Sequence, residues 1–239
     1  KRVRDGELGQ IISQHGYRMQ GDIVTFRSPP KPEGISDLEY QIRRFHSFIW
    51  ASGGNFSDFN IHIVDHLCWM KGMWPIAAAG VGGRHYREGK DGYYVDQNFD
   101  SYAVEYTFPD GTKMFFDGRY IDGCKTTYAS YAHGTKGMAV VSANGDCGLP
   151  SAIYKGHRMD DANLQWKSNV PKQDQDPYQN EWNVLIAAIR DNKPHNEVET
   201  GVKTSLVTAL GRMAAHVGQE VTYEQILNGD HAFAPDVDK

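Results

Sequence analysis

Cysteine is scarce. Three occur in 239 residues, Cys68, Cys124 and Cys147, and no two form a C-x-x-C pair. An odd number at long spacings argues against a disulfide scaffold and against a cysteine-rich zinc site. Buried or free thiols are what remain. Long hydrophobic runs are missing as well, and nothing approaches the stretch of about 18 apolar residues that reads as a membrane-spanning helix. Neither sign of charge is in large excess, since 25 Lys and Arg stand against 30 Asp and Glu for a net charge of -5. That balance speaks against nucleic acid or an anionic membrane surface as the main partner. Two nucleotide and nucleophile signatures, G-x-x-x-x-G-K-[ST] and G-x-S-x-G, do not occur. Gly80-Val81-Gly82-Gly83-Arg84 is glycine-rich but lacks the third glycine of a dinucleotide loop. Asp91-Gly92 then stand where its helix would have to run, so the chain shows no dinucleotide site of its own.

What is present is an ordinary globular composition, 40% hydrophobic, 12% aromatic and 23% charged. The length suffices for a sizeable core. The chain starts Lys1-Arg2-Val3-Arg4, without Met and without an apolar h-region. We therefore expect a piece of a longer protein and not a signal peptide. Residues 1–8 read as the last turns of a helix closed by Gly9, and residues 10–19 as an alternating strand. A proline-rich loop over 28–36 leads to a helical segment from about Asp37 to Ile49, broken by Ser52-Gly53-Gly54-Asn55. Strands follow near 76–84, 101–108, 112–118, 124–131, 136–142 and 150–154. Pro109-Asp110-Gly111-Thr112 marks a hairpin turn, and Asn144-Gly145-Asp146 a second candidate. Residues 157–176 read as a polar excursion.

The end is helical. Asp176-Pro177 opens a helix through about Arg190, with Trp182, Leu185, Ile186 and Ile189 as its core face. Residues 198–217 make a second helix ended by Gly218, with Val202, Leu206, Leu210 and Met213 as its apolar face. Thr222 caps a short last helix, and the tail frays through Pro235. This order predicts an α+β fold: an open, mainly antiparallel sheet with helices on one face, the other face free to pack on something else.

The richest segment for chemistry is 57–71, expected as one helix with Ser57 as N-cap and Gly72 as its stop. Asp58 and His62 stand four apart and share a face, and Asp65 and Trp69 continue the stripe. The remaining positions are apolar, so the helix should be largely buried. Buried carboxylates and a histidine need partners, and such pairs are what active sites use to tune pKa values. A carboxylate beside His62 suits proton transfer at a substrate hydroxyl; a self-satisfied structural pair is the alternative. His62 and His66 could also share a metal at i, i+4, although H-E-x-x-H lacks its Glu here. Arg84, His85 and Tyr86, after Gly82-Gly83, could reach a polar ligand. Arg43 and Arg44, beside Phe45, His46 and Trp50, could line a cleft. Tyr178, Glu181 and Trp182 read as anchors of their helix.

The Asp58-x-x-x-His62-x-x-Asp65-x-x-x-Trp69 helix resembles the substrate-domain helix of the Gfo/Idh/MocA oxidoreductases. Trp50-Ala51-Ser52-Gly53-Gly54, Gly82-Gly83-Arg84 and Tyr178-x-x-Glu181-Trp182-x-x-Leu185-Ile186-x-x-Ile189 resemble that family too. So do Asn196-Glu197, Gly201-x-x-x-Ser205 and Gly211-Arg212-Met213-Ala214-Ala215. The resemblance runs over essentially the whole chain. It implies that residues 1–8 are the junction from an N-terminal Rossmann domain outside this chain, and that 9–239 form the C-terminal substrate-binding and oligomerisation domain. It implies NAD or NADP, bound mainly by that outer domain, and a sugar, cyclitol or polyol substrate. His62 would be the acid/base and Asp58 its orienting carboxylate. Asp65, Asn60, Arg84, His85 and Arg43 are the candidate substrate contacts, with Asn60 where close relatives often have His. No metal is expected, and a homo-oligomer through the free sheet face is. The chain alone should be inactive. An NAD-dependent glycoside hydrolase of the same family, and a non-catalytic carbohydrate-binding or dimerisation module, stay open. The compartment, cytoplasm or bacterial periplasm, is not fixed by these residues.

Overall fold

Alternation in the first strand sets the layering of the molecule. In β1 (Ile11–Gln20), Gln14, Gly16 and Arg18 are buried, while His15, Tyr17 and Met19 between them are only partly covered. The computed structural model describes residues 1–23, 27–85, 88–90, 92–143 and 150–234. Cys147, the Asn144–Asp146 turn, Tyr86, Asp91 and the end of the tail from Pro235 lie outside those residues. Cys68 and Cys124 are free thiols.

A nine-stranded sheet forms the body. Its strands after β1 are β2 (Ala77–Gly83), β5 (Ser101–Thr107), β6 (Lys113–Tyr120), β7 (Thr127–Gly134), β8 (Gly137–Ser142), β9 (Ala152–Lys155), β10 (Leu164–Lys167) and β11 (Val221–Thr222). A separate two-stranded ribbon pairs β3 (Glu88–Gly89) with β4 (Gly92–Tyr93). The order across the sheet is β10-β9-β8-β7-β1-β6-β5-β2-β11. All neighbours run antiparallel except β1 and β6, which are parallel. The expected mainly antiparallel open sheet is therefore present. Its hub is a non-local strand: β1 inserts between β6 and β7, which cannot pair with each other as a hairpin. The β5–β6 turn closes as expected, with Phe108 N–H donating to Thr112 O and Gly111 at φ 81°.

Helices α1 (Asp37–Arg43), α2 (Ile49–Ser52), α3 (Ile61–Lys71), α4 (Pro177–Arg190), α5 (Val198–Val217) and α6 (Tyr223–Leu227) complete the fold. α3 packs on β1 and β7, and α5 on β2 and β5, from the same side. Ile63, Val64 and Leu67 of α3 meet Met114, Phe116 and Ala132 of the sheet in one core with Tyr106, Val207 and Leu210. Two glycines permit the close approach. A Cβ on Gly16 would lie 2.5 Å from Ile63 Cγ2, and one on Gly211 would lie 1.8 Å from the Tyr106 hydroxyl. The opposite sheet face carries His15, Tyr17, Phe115, Asp117, Tyr131 and His133, all partly exposed. No described helix is long and apolar enough to cross a membrane.

Four expectations change. The helix from Asp37 is cut at Arg43 and continues through a 3-10 turn (Phe45–Ser47) into α2. The polar excursion contains β10, an edge strand whose residues are mostly exposed. The expected core face of α4 is not a core face here: the helix is capped by Asp176 as read, yet none of its residues is buried. α5 keeps Leu210 of its expected face in the core, but Val202 stays exposed. The helix also buries Thr204, Val207, Thr208, Gly211, Ala214 and Ala215, because small side chains let it approach β2 and β5.

Candidate active site

The entry to α3 decides the site's geometry. Gly53 and Gly54 sit at φ 74° and 80°, where L side chains are strained, and they turn the chain into the helix. Asn55 then anchors the start: its N–H donates to Asn98 Oδ1 at 2.7 Å and its amide to Phe99 O at 2.8 Å. Residues Phe56–Asn60 form a π turn before the α-helix proper begins at Ile61. Ser57 lies inside this turn and caps nothing. Such wide turns recur at functional sites.

The π turn has a chemical consequence. The i, i+4 argument for Asp58 and His62 assumes α-helical rotation, and the wider turn swings Asp58 off that face. Asp58 Oδ2 lies 3.3 Å from His46 Nε2, in the 3-10 turn after α1. No hydrogen bond joins Asp58 to His62, so the expected orienting pair does not form; Asp58 Oδ2 instead approaches His46 without a hydrogen bond to it. His62 is exposed, and no described side chain bonds its ring.

His62 opens onto a cleft of about 600 Å³ between α3 and the start of α5, lined also by Asp65, His66, Trp69, Thr204 and Ser205. Asp65 accepts a 2.6 Å hydrogen bond from Thr204 Oγ1, which ties α3 to α5 while leaving the carboxylate on the cleft wall. His66 turns inward to Ser130 Oγ at 2.6 Å. Burial first, and His62 second, push its pKa down to about 4, so it is a neutral structural imidazole at pH 7. Its ring is therefore committed to Ser130 and not shared with His62. Burial likewise pushes the Cys68 thiol up, away from nucleophilic use.

The remaining candidates disperse. Asn60 is fully buried: its Oδ1 accepts from the Tyr120 hydroxyl, and its amide approaches Gly118 of β6. It supports the sheet and lines no pocket wall. Arg43 is an exposed surface residue 2.5 Å from Glu39 one turn earlier, away from any cleft. Arg84 donates to the Asp96 and Tyr94 carbonyls. His85 bonds the buried Asp100 carboxylate through both its backbone N–H and its Nδ1, at 2.9 and 2.6 Å. Both therefore hold the 94–100 loop, whose Asn98 in turn holds Asn55. Sequence reasoning placed His46 in a possible cleft-lining segment without assigning it a partner, and Asn98 went unread.

A dinucleotide does not fit the glycine run. Gly80, Gly82 and Gly83 lie in β2, and a Cβ on Gly82 would strike Phe99 at 2.6 Å. That glycine makes room for an aromatic ring, with no helix behind it to meet a phosphate.

Comparison with solved structures shows a shared fold. The chain is similar to an aldose-aldose oxidoreductase from Caulobacter crescentus, solved with glycerol, at TM-score 0.65 and 17% identity over 92% of this chain and 58% of that one. It is similar to a levoglucosan dehydrogenase solved with NADH and levoglucosan, at TM-score 0.67 and 14% identity over 92% and 61%. A putative myo-inositol dehydrogenase from Sinorhizobium meliloti matches at TM-score 0.58 and 15% identity over 93% and 60%. The chain thus shares its fold with these oxidoreductases, and it spans about three fifths of their length. No family model matches the sequence, and no curated protein matches it.

Proposed function

We propose that this chain is the substrate-binding and oligomerisation domain of an NAD(P)-dependent oxidoreductase acting on a sugar, cyclitol or related polyol. The observation that carries the reading is His62: an exposed imidazole whose ring no described side chain bonds, at the mouth of a cleft that Asp65, Thr204 and Ser205 also line, in a fold shared with sugar and inositol oxidoreductases. His62 takes the proton of the substrate hydroxyl during oxidation and returns it in the reverse direction. Asp58 and Asp65 accept hydrogen bonds from neighbouring hydroxyls. NAD or NADP, held by a Rossmann domain outside this chain, supplies hydride acceptance. The exposed apolar stripe of α4 (Tyr178, Trp182, Ile189) is the surface on which that domain packs. The half-covered sheet face of His15, Tyr17, Phe115 and Tyr131 is where subunits meet.

The test uses the longer protein with a panel of sugars, cyclitols and aryl glycosides, following NADH absorbance and released aglycone together. NADH formation supports the dehydrogenase. Aglycone release without net NADH replaces it with a hydrolase that uses the cofactor transiently. Sugar binding with neither product would leave a binding module.

A further inference from the structure

On the other side of Trp69 from the His62 cleft lies a second cavity. It holds about 540 Å³ between α3, residues 1–4 and strands β8–β10. His66 and Trp69 line both spaces and so form the partition between them. The floor is apolar, with Val3, Met70, Val141 and Ile153 on it. Two tryptophans wall the cavity, and each carries an arginine on its ring. Arg2 Cζ lies 5.0 Å from the centroid of Trp166, and Arg4 Cζ lies 4.9 Å from that of Trp69. Arg4 also donates to Trp69 O at 2.8 Å, so its guanidinium is fixed at two points. Arg2 is paired with Glu7 at 2.7 Å, whereas Arg4 has no carboxylate partner among the described residues. Lys1 adds a third cation to the lining, and no carboxylate lines the cavity.

We infer that this cavity is a second ligand site, distinct from the His62 cleft, and that it takes a small aromatic carboxylate. Each part of the lining answers one part of such a ligand. The apolar floor and the two indoles receive a flat ring, in a volume that suits a small organic molecule. Arg4 receives the carboxylate. A guanidinium already stacked on an indole loses little freedom when it meets an anion, and its planar N–H edge matches the two carboxylate oxygens. A neutral sugar would leave the cations without an anionic partner. A bare inorganic anion would leave the apolar floor uncovered. The site goes beyond the oxidoreductase reading and does not depend on it.

The probe is 2-naphthoate, titrated into the chain and followed by tryptophan fluorescence and by calorimetry. Its two halves, 2-naphthol and acetate, are titrated beside it. One 2-naphthoate should bind per chain, about tenfold or more tighter than either half, the worth of a charge-assisted hydrogen bond added to ring burial. Arg4→Gln, at an exposed side chain, should keep the unfolding midpoint and bring 2-naphthoate down to the level of 2-naphthol. Trp166→Leu should weaken both aromatic probes. Equal affinity for 2-naphthoate and 2-naphthol, or an Arg4→Gln chain that binds 2-naphthoate like the parent, would overturn the inference. So would binding by this chain that the longer protein lacks, since the cavity would then be a surface that another part of that protein covers. The titration needs no turnover. An active His62→Ala enzyme would remove the acid/base reading and leave this site untouched, so the two failures are distinct.

Discussion

α3 and α4 are both helices whose apolar spacing announces a buried face, and they meet opposite fates. α3 buries Ile63, Val64, Leu67, Cys68 and Met70 against the sheet. α4 buries nothing: Tyr178, Trp182 and Ile189 are 77%, 60% and 65% exposed. Apolar periodicity states that a helix needs a partner, not that the partner lies in the same chain. α3 finds its partner in β1 and β7, and turns Ile61, His62, Asp65, His66 and Trp69 toward the cleft. The contrast separates a helix that the sheet covers from one whose apolar side chains stay exposed in this chain.

Four measurements sharpen that contrast. Leu67→Ala should cost the most, about 2–5 kcal/mol, because it opens a cavity under the helix; urea unfolding reads it, and a loss below 1 kcal/mol would mean α3 is not seated as described. Acid comes next. Burial holds His66 at about 4, and burial with Arg212 holds His216 at about 4, against an ordinary 6.5. Below 6.5 the unfolded chain takes up protons that these folded rings refuse, so stability is full above 6.5 and falls as pH drops toward 4. His66→Gln should flatten that fall between pH 6.5 and 4 in urea midpoints, and an unchanged slope would contradict the assignment. Gly211→Ala should then cost about 1–3 kcal/mol, since its methyl group must displace the buried Tyr106 hydroxyl; an unchanged Tm would show that α5 has room to retreat. Trp182→Ala should be smallest, within about 0.5 kcal/mol in this chain, as for other exposed sites. In the longer protein the same change should cost clearly more. Equal effects in both would mean that α4 has no partner there.

Local chemistry was legible where one residue type decides the backbone. Asp110-Gly111 marks the β5–β6 turn, Asp176-Pro177 the start of α4, Thr222 the cap of α6, and Gly72 and Gly218 the helix ends. Features set by distant partners were not. The parallel β1–β6 pairing joins residues about a hundred positions apart. β10 reads as polar because it is an exposed edge. The π turn at Phe56–Asn60 follows an Asn55 held by the distant Asn98, and local propensity carries no sign of it. At the site, His62 and Asp65, read as sharing one helix stripe, both line the cleft. Asp58 was given the wrong partner, because its spacing was read on an ideal α-helix. Arg43 carried its own answer, since Glu39 stands one turn away, the spacing of a surface ion pair.

The most direct test of the account is steady-state turnover by the longer protein with His62→Ala, beside a measurement of its NAD(P) affinity. The account predicts that kcat falls by about 10²–10⁴, the contribution of a positioned acid/base, while cofactor affinity and the unfolding midpoint hold. A variant that turns over substrate within a factor of two of the parent would contradict it.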